Sequence, residues 1–119
     1  MSLSTNDVHQ MSEIKELTST ILKFRDDRDW KQFHNSKDLA LAISIEASEL
    51  LELFLWKDEE DADPEKLKEE LADVLTFSIL LAEKHNLDIK EIIKAKVRQN
   101  AEKYPVEKAK GSAKKYSDL

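Results

Sequence analysis

The stretch ISIEASELLELF, residues 43–54, decides the fold of this chain because it places the carboxylates of Glu46 and Glu49, three residues apart, in a run that otherwise looks like core. Of the 18 residues from 39 to 56, 13 are apolar, which is too many for a helix with an ordinary solvated face. At about 100° per residue, Glu46 projects into the most apolar sector of this helix, and Glu49 lies next to it. Burying a bare carboxylate is costly, so a cation or a proton must accompany these side chains.

A second acidic pair, Glu70 and Asp73, follows in EELADVL, residues 69–75. Residues three apart on a helix bring their Cβ atoms to about 5–6 Å, so each pair can share one ion. Oxygen ligands without cysteine or histidine favour a hard ion, Mg²⁺, with Mn²⁺ as a substitute. The alternative is that the acids form surface ion pairs, since either spacing alone is common in charged helices. The apolar surroundings of Glu46 and Glu70 favour the metal site.

The composition indicates a soluble, nearly all-helical protein of one domain. The 119 residues are 40% apolar and 37% charged, with one glycine and two prolines, which is too few turn formers for a sheet protein. The absence of cysteine excludes disulfides and thiolate metal sites. No apolar run reaches the roughly 18 residues of a membrane span, and no signal-peptide core is present, so we expect a cytoplasmic protein that binds no membrane. A formal charge of −6 argues against binding to nucleic acid.

Periodicity and capping signals predict an all-α chain with four helices. We expect them at about residues 12–27, from residue 35 or 36 to about 56, from residue 63 or 64 to about 84, and from residue 88 to a point before Pro105. Residues 1–11 are predicted to be a disordered leader, residues 12–105 the helical domain, and residues 106–119 a flexible tail. The apolar residues of the second helix point in nearly every direction, which predicts contacts between subunits.

Two further groups of residues can serve a ligand. Trp30 and Phe33 lie in a polar connector, where aromatic rings either close the end of a bundle or offer a stacking surface for a nucleobase. In the fourth helix, Lys96, Asn100 and Tyr104 are spaced four residues apart on one face. That row can present a cation, an amide and a phenol to phosphate oxygens, although an ordinary polar helix face has the same pattern.

Four segments together resemble the MazG-like all-α nucleoside triphosphate pyrophosphohydrolases. They are RDWKQFH (28–34), EASELLELFLW (46–56), EELADVL (69–75) and KVRQNAEKYP (96–105). The resemblance covers about residues 12–105 and is greatest to the dCTP pyrophosphatase branch of the family. It implies a four-helix bundle that assembles as a homo-oligomer, a tetramer or a dimer.

The same resemblance implies an activity and a set of site residues. The activity is Mg²⁺-dependent hydrolysis of a nucleoside triphosphate, dCTP or a modified dCTP, to the monophosphate and pyrophosphate. The biological role stays open between nucleotide pool sanitation, control of dCTP and a stress response. One of Glu46 or Glu49 would be the general base, and Lys96 would stabilise the departing pyrophosphate. The matched positions are Glu46, Glu49, Glu70 and Asp73 for the metal, Lys96, Asn100 and Tyr104 for the phosphates, and Trp30, His34, Trp56 and Phe77 for the base.

Other interpretations of the same residues stay open at this point. A non-catalytic helical oligomer that acts as a binding or scaffold protein would carry the same acids merely as solvated groups. A di-iron carboxylate bundle is disfavoured because it needs Glu-x-x-His pairs, and no histidine of this chain follows a glutamate at that spacing. Within the enzyme class, hydrolysis of dUTP or of phosphoribosyl-ATP is an alternative to hydrolysis of dCTP.

Overall fold

The computed structural model describes residues 12–58 and 61–118, and within those ranges it contains helices and turns but no strand. The all-α class is therefore confirmed. No helix in the described ranges has both the length and the apolar character needed to cross a lipid bilayer. The predicted leader, residues 1–11, lies outside the described residues. The helices are α1 (Glu13–Asp27), α2 (Ser36–Glu52), α3 (Pro64–Lys84), α4 (Ile89–Lys103) and α5 (Val106–Ala109), with 3-10 turns at Lys31–Phe33 and Tyr116–Asp118.

The four long helices begin where the capping signals predict. Ser12, Asn35, Asp63 and Asp88 are their N-caps, and each side chain accepts a hydrogen bond from a backbone N–H of the first turn. Pro64 occupies the first turn of α3, where its missing N–H would have had no helical partner. Such caps satisfy donors that the helix itself leaves free, so the local sequence is sufficient to fix these starts.

The predicted end of the second helix was wrong. We expected this helix to reach about Trp56, but α2 ends at Glu52 and residues 53–56 form turns. Trp56 has a φ of 61° and is fully exposed. The apolar run continues past the last helical residue without glycine or proline, so periodicity alone gave no stop signal. The left-handed backbone that ends the segment is adopted here by a tryptophan rather than by the usual glycine.

The chain divides into two compact units, one ending at Leu87 and one beginning at Asp88. In the first unit α2 packs against α3, and α1 also contacts α3. The α2–α3 pair is antiparallel. The Oγ atom of Ser36 at the start of α2 lies 2.8 Å from the Nε2 atom of His85, which follows the end of α3. This antiparallel register sets which side chains of the two helices meet.

The buried core of the described residues is small. Leu39 of α2 and Leu80 and Ala82 of α3 are the buried apolar side chains, whereas Leu41 and Ile45 on α2 are about half exposed. A helix pair that leaves so much apolar surface in water gains little stability from its own core. Contacts of α2 with a second subunit stay a prediction.

The second unit contains α4, α5 and the last 3-10 turn. Tyr116 meets the ring of Tyr104 edge-on at 6.3 Å, and the Nζ atom of Lys103 lies 5.1 Å from the centre of the Tyr116 ring. The predicted tail, residues 106–119, thus includes a short helix and a turn that contacts the end of α4. Its flexibility stays a prediction.

Candidate functional site

Three carboxylates from α2 and α3 converge in the first unit. Glu46 and Glu49 lie one helical turn apart on α2, and the antiparallel packing brings Glu70 of α3 opposite them. One oxygen of each carboxylate lies within 4.8 Å of an oxygen of each of the others. The spacing along α2 was readable from the sequence, whereas the approach of Glu70 depends on how the two helices pack.

The cluster contains polar atoms that lack partners. The Oε2 atoms of Glu46 and Glu70 are buried and accept no hydrogen bond from the described residues. An orphaned buried acceptor costs about 1–3 kcal/mol, and more when it is charged. No lysine or arginine in the described ranges forms an ion pair with any of the three carboxylates. This donor set fits a hard divalent cation, which takes carboxylate oxygens as ligands and would satisfy the orphaned atoms.

Desolvation, and to a smaller extent the mutual repulsion of these acids, raises the pKa of Glu46 and Glu70. Desolvation raises the pKa of Glu46 to about 7, helped by a proton that Glu46 can share with Glu70 and Glu49 and by the negative charges of Glu49 and Asp73. A proton shared with Glu46 lowers the pKa of Glu70, but desolvation and the nearby charges of Glu49 and Asp73 outweigh it, so the net shift is upward. Without a metal, the cluster therefore retains a proton to near-neutral pH.

Asp73, the fourth predicted ligand, does not belong to this three-carboxylate cluster. Its side chain is exposed on α3, one turn after Glu70. Its charge nevertheless contributes to the raised pKa of Glu46 and Glu70, so it lies within electrostatic reach of both. Asp73 as a metal ligand stays a prediction.

The predicted base contacts lie in different environments. Trp30 packs edge-on against Phe24 of α1 with ring centres 5.6 Å apart, and 44% of its surface stays exposed. Trp56 is fully exposed in the turn after α2, and Phe77 is half-buried on α3. His34 lines a cavity beside the start of α2. The role of these four side chains toward a base stays a prediction.

The predicted phosphate contacts belong to the second unit. Lys96 and Asn100 lie one turn apart on α4, and Tyr104 is the first residue after that helix. The Nζ atom of Lys96 donates a hydrogen bond to the side-chain oxygen of Gln99 at 3.1 Å. Lys96 and Asn100 are exposed, and Tyr104 is 38% exposed. Their role toward phosphates stays a prediction.

Sequence reasoning missed a group of cations around His34. Arg25, Lys31 and Lys84 line the same cavity as this histidine, although they come from the end of α1, the connector and the end of α3. No local spacing relates the three positions, so only the packing of three segments brings them together.

Comparison with known proteins places the chain in a family. The sequence model of the MazG-like family matches residues 41–119, which include the acidic cluster and the Lys96 helix. The chain belongs to the MazG-like family. The resemblance inferred from the four sequence segments is thereby confirmed.

Within the MazG-like family, the chain is similar to dCTP pyrophosphatase 1 of Bos taurus and of Mus musculus. It is 39% identical to each over 105 residues, a match that covers 82% of this chain and 62% of the relative. The human dCTP pyrophosphatase 1 is 36% identical over the same length. The chain thus spans 62% of the length of the curated relatives it matches.

A solved structure with a similar fold supports the helical architecture. The crystal structure of a pyrophosphatase from Archaeoglobus fulgidus superposes with a TM-score of 0.76 at 38% sequence identity. The match covers 82% of this chain and 96% of the archaeal chain. The all-helical arrangement is therefore shared along nearly the whole length of that protein.

Proposed function

We propose that this protein is a divalent-metal-dependent nucleoside triphosphate pyrophosphohydrolase that cleaves dCTP or a modified dCTP to the monophosphate and pyrophosphate. The observation that carries the proposal is the convergence of Glu46, Glu49 and Glu70 in a MazG-like chain. The names of the similar proteins, dCTP pyrophosphatase 1 and a pyrophosphatase, support this reaction class.

The metal in the proposal is Mg²⁺, with Mn²⁺ as a substitute. Glu46, Glu49 and Glu70 would hold it, and Asp73 would complete the set. When bound, the ion supplies charge neutralisation at the phosphate oxygens and activation of a water molecule near neutral pH. The orphaned oxygens of Glu46 and Glu70 support a cation at this place, since a metal would satisfy both.

The chain's own residues would divide the remaining work. One of Glu46 or Glu49 accepts the proton of the water that attacks the α-phosphorus, because both lie in the cluster where that water would be held. Lys96 offsets the negative charge on the departing pyrophosphate. Asn100 and Tyr104 donate hydrogen bonds to phosphate oxygens.

For the base we propose the contacts that the resemblance implies. Trp30 and Trp56 would stack on the ring, since exposed tryptophans offer flat apolar surfaces to a nucleobase. His34 and Phe77 would contact the base at its edges. These contacts would set the preference for cytosine over other bases.

We also propose that the enzyme is a homo-oligomer, a dimer or a tetramer. Leu41 and Ile45 are 49% and 55% exposed one turn apart on α2, and Leu71 and Leu75 are 45% and 54% exposed on α3. Burying such side chains against a second copy would gain about 25 cal/mol per Å² of apolar surface. A second copy is the simplest partner for this surface, because most soluble oligomers are symmetric assemblies of identical chains.

A substrate panel tests the function. The natural and base-modified triphosphates, with dUTP and phosphoribosyl-ATP, are each incubated with Mg²⁺, and the released phosphate species are identified. We expect pyrophosphate and a nucleoside monophosphate, with dCTP or a modified dCTP as the preferred substrate. Release of orthophosphate would indicate attack at the γ-phosphorus and would contradict the proposal.

Glu49→Gln and Glu69→Gln form a matched pair for the same assay. Both remove one negative charge from a helix, but Glu69 lies on an exposed part of α3 outside the cluster. We expect Glu49→Gln to lose turnover and Glu69→Gln to retain it. Equal turnover in the two variants would remove the acidic cluster from the proposed site.

A further inference from the structure

Tyr104 lies where its own helix no longer fixes the direction of its side chain. It is the residue that follows α4, with a φ of −123° and a ψ of 69°, although its backbone N–H still donates to the carbonyl oxygen of Asn100 at 2.8 Å. The next residue, Pro105, disfavours helical backbone at Tyr104. Outside a helix, a side-chain rotamer is not restricted by the preceding turn. The orientation of the Tyr104 ring therefore depends on what packs against it.

The chain after α5 turns back toward this residue. Gly111, the one glycine of the sequence, has a φ of 76°, a left-handed value that glycine adopts without steric cost. The backbone N–H of Ser112 donates to the carbonyl oxygen of Ala109, and that of Lys114 donates to the Oγ atom of Ser112. These bonds close a chain reversal that leads into the 3-10 turn Tyr116–Asp118.

Tyr116 is the residue of this turn that reaches the end of α4. Its ring meets the ring of Tyr104 edge-on, with centres 6.3 Å apart and planes at 85°. The Nζ atom of Lys103 lies 5.1 Å from the centre of the Tyr116 ring, within the range of a cation–π contact. Edge-on aromatic pairs prefer a defined orientation, because the positive edge of one ring faces the negative face of the other. Tyr116 thus restrains both Tyr104 and the residue before it.

The turn adds little to the core of the second unit. Every described residue after Gly111 is exposed, and Tyr116 itself is 55% exposed. No ion pair joins residues 112–118 to another part of the described chain. Removal of the Tyr116 ring should therefore perturb Tyr104 without unfolding the unit.

We propose that Tyr116 is a positioning residue, which holds the ring of Tyr104 so that the Tyr104 hydroxyl is directed at a phosphate oxygen of the substrate. This inference rests on the proposed function, in which Tyr104 donates that hydrogen bond. A phenol that is already held in one orientation loses less rotamer entropy when substrate binds than a freely rotating one. The C-terminal turn strengthens substrate binding in this way, through Tyr104 rather than by a contact of its own.

The test compares Tyr116→Ala, Tyr116→Phe and Val106→Ala in steady-state hydrolysis of the preferred triphosphate of the substrate panel. An edge-on aromatic pair corresponds to about a two- to tenfold effect, so Tyr116→Ala should raise KM by that factor and leave kcat nearly unchanged. A loss of folded protein would instead lower the measured kcat and leave KM unchanged. Tyr116→Phe keeps the ring and should behave like the wild type. Val106→Ala removes apolar surface at a 72% exposed position of α5 and is the control, which should also behave like the wild type.

A double-mutant cycle tests whether Tyr116 acts through the hydroxyl of Tyr104. Tyr104→Phe removes this hydroxyl and keeps the ring. In that background Tyr116→Ala should change KM by less than about twofold, because the group that Tyr116 positions is gone. An equal change of KM in the two backgrounds would mean that Tyr116 acts on another group and would overturn the proposal.

NMR of the tyrosine rings gives a second readout, which does not require turnover. The chain has two tyrosines, so in Tyr116→Phe or Tyr116→Ala the remaining tyrosine signals belong to Tyr104. We expect the neighbouring ring to shift these signals in Tyr116→Phe, and we expect them to move toward those of free tyrosine in Tyr116→Ala. Gly111→Ala strains the chain reversal at a φ of 76° and alters neither ring, so it should move the Tyr104 signals in the same direction and also raise KM.

The outcomes separate this inference from the proposed function. A wild type that hydrolyses the triphosphate, with an unchanged KM in Tyr116→Ala, would overturn the inference alone. Identical Tyr104 signals in Tyr116→Ala and Tyr116→Phe would do the same, as would a Tyr116→Phe variant whose KM is as high as that of Tyr116→Ala. A wild type that releases no pyrophosphate from any triphosphate would overturn the proposed function and, with it, the role of Tyr116.

Discussion

Glu46→Gln is expected to stabilise the metal-free protein and to weaken its stabilisation by Mg²⁺. Three carboxylates with oxygens within 4.8 Å of one another repel when no metal is present. The substitution keeps the shape of the side chain and removes one charge. Its amide can donate a hydrogen bond to a neighbouring carboxylate, an option the ionised glutamate lacks.

The size of the effect follows from the proton affinity of Glu46. The pKa is raised from 4.5 to about 7. A shift of this size lowers the free energy of unfolding by about 3 kcal/mol at high pH, where Glu46 is ionised in the folded protein. Solvent at the open side of the cluster screens part of this, so we expect a gain of about 1–2 kcal/mol for the variant at pH 8.5. For a chain of this length that is a rise in Tm of about 3–8 °C.

The sign of the pH dependence is fixed by the direction of the shift. The folded protein holds the proton of Glu46 more tightly than the unfolded chain does. The protonated side chain therefore makes its full contribution to the free energy of unfolding below pH 4.5, and this contribution is lost as the pH rises through about 7. The difference between variant and wild type should therefore be small at pH 4.5 and reach its full size above pH 7.

The assay is urea unfolding at pH 4.5 and at pH 8.5, each in EDTA and in Mg²⁺. The protein concentration is kept fixed, because the stability of an oligomer depends on its concentration. In EDTA at pH 8.5 the variant should be more stable than the wild type. Added Mg²⁺ should stabilise the wild type and have less effect on the variant. Glu69→Gln, the control, should change stability by less than about 0.5 kcal/mol. A Glu46→Gln protein that is no more stable than the wild type in EDTA at pH 8.5 would refute the reasoning.

Four further predictions concern turnover, the core, pH and assembly. Glu49→Ala should lower turnover by about 10²-fold or more while circular dichroism shows unchanged helicity, and wild-type rates would contradict its role. Leu80→Ala should cost about 2–5 kcal/mol in chemical unfolding because Leu80 is 5% exposed, and a loss below 1 kcal/mol would be inconsistent with that burial. His34 should titrate below pH 6.5 by NMR, since desolvation and nearby cations lower its pKa. The neutral ring therefore favours folding above pH 6.5, and this contribution to stability is lost as the pH falls. A titration midpoint of 6.5 or higher would contradict the lowered pKa. Leu41→Asp should reduce the mass measured by analytical ultracentrifugation, because a charge on the exposed α2 face opposes burial against a second copy, and an unchanged mass would remove this face from the interface.

The sequence by itself determined the helical class and the starts of the helices. Asn35, Asp63 and Asp88 are caps whose side chains satisfy donors within the next few residues, so their effect is local and readable. The spacing of Glu46 and Glu49 is equally local, because one helical turn fixes which side chains are neighbours. Both predictions needed no knowledge of the tertiary fold.

The end of α2 was beyond such local reasoning. Apolar periodicity reports which residues avoid water, and the turns at residues 53–56 are as apolar as the helix before them. Trp56 adopts a left-handed backbone without being glycine, a conformation that its side chain gives no means of predicting.

Only the tertiary structure decided which distant groups meet. Glu70 joins the α2 acids because α2 and α3 run antiparallel in one particular register, whereas Asp73 from the same motif lies outside the three-carboxylate cluster. Arg25 and Lys84 come to surround His34 across nearly sixty residues of chain, where no spacing rule applies. Hydrogen bonds within a helical turn are set by the residues of that turn, but the packing of helices is set by the whole apolar surface they bury together.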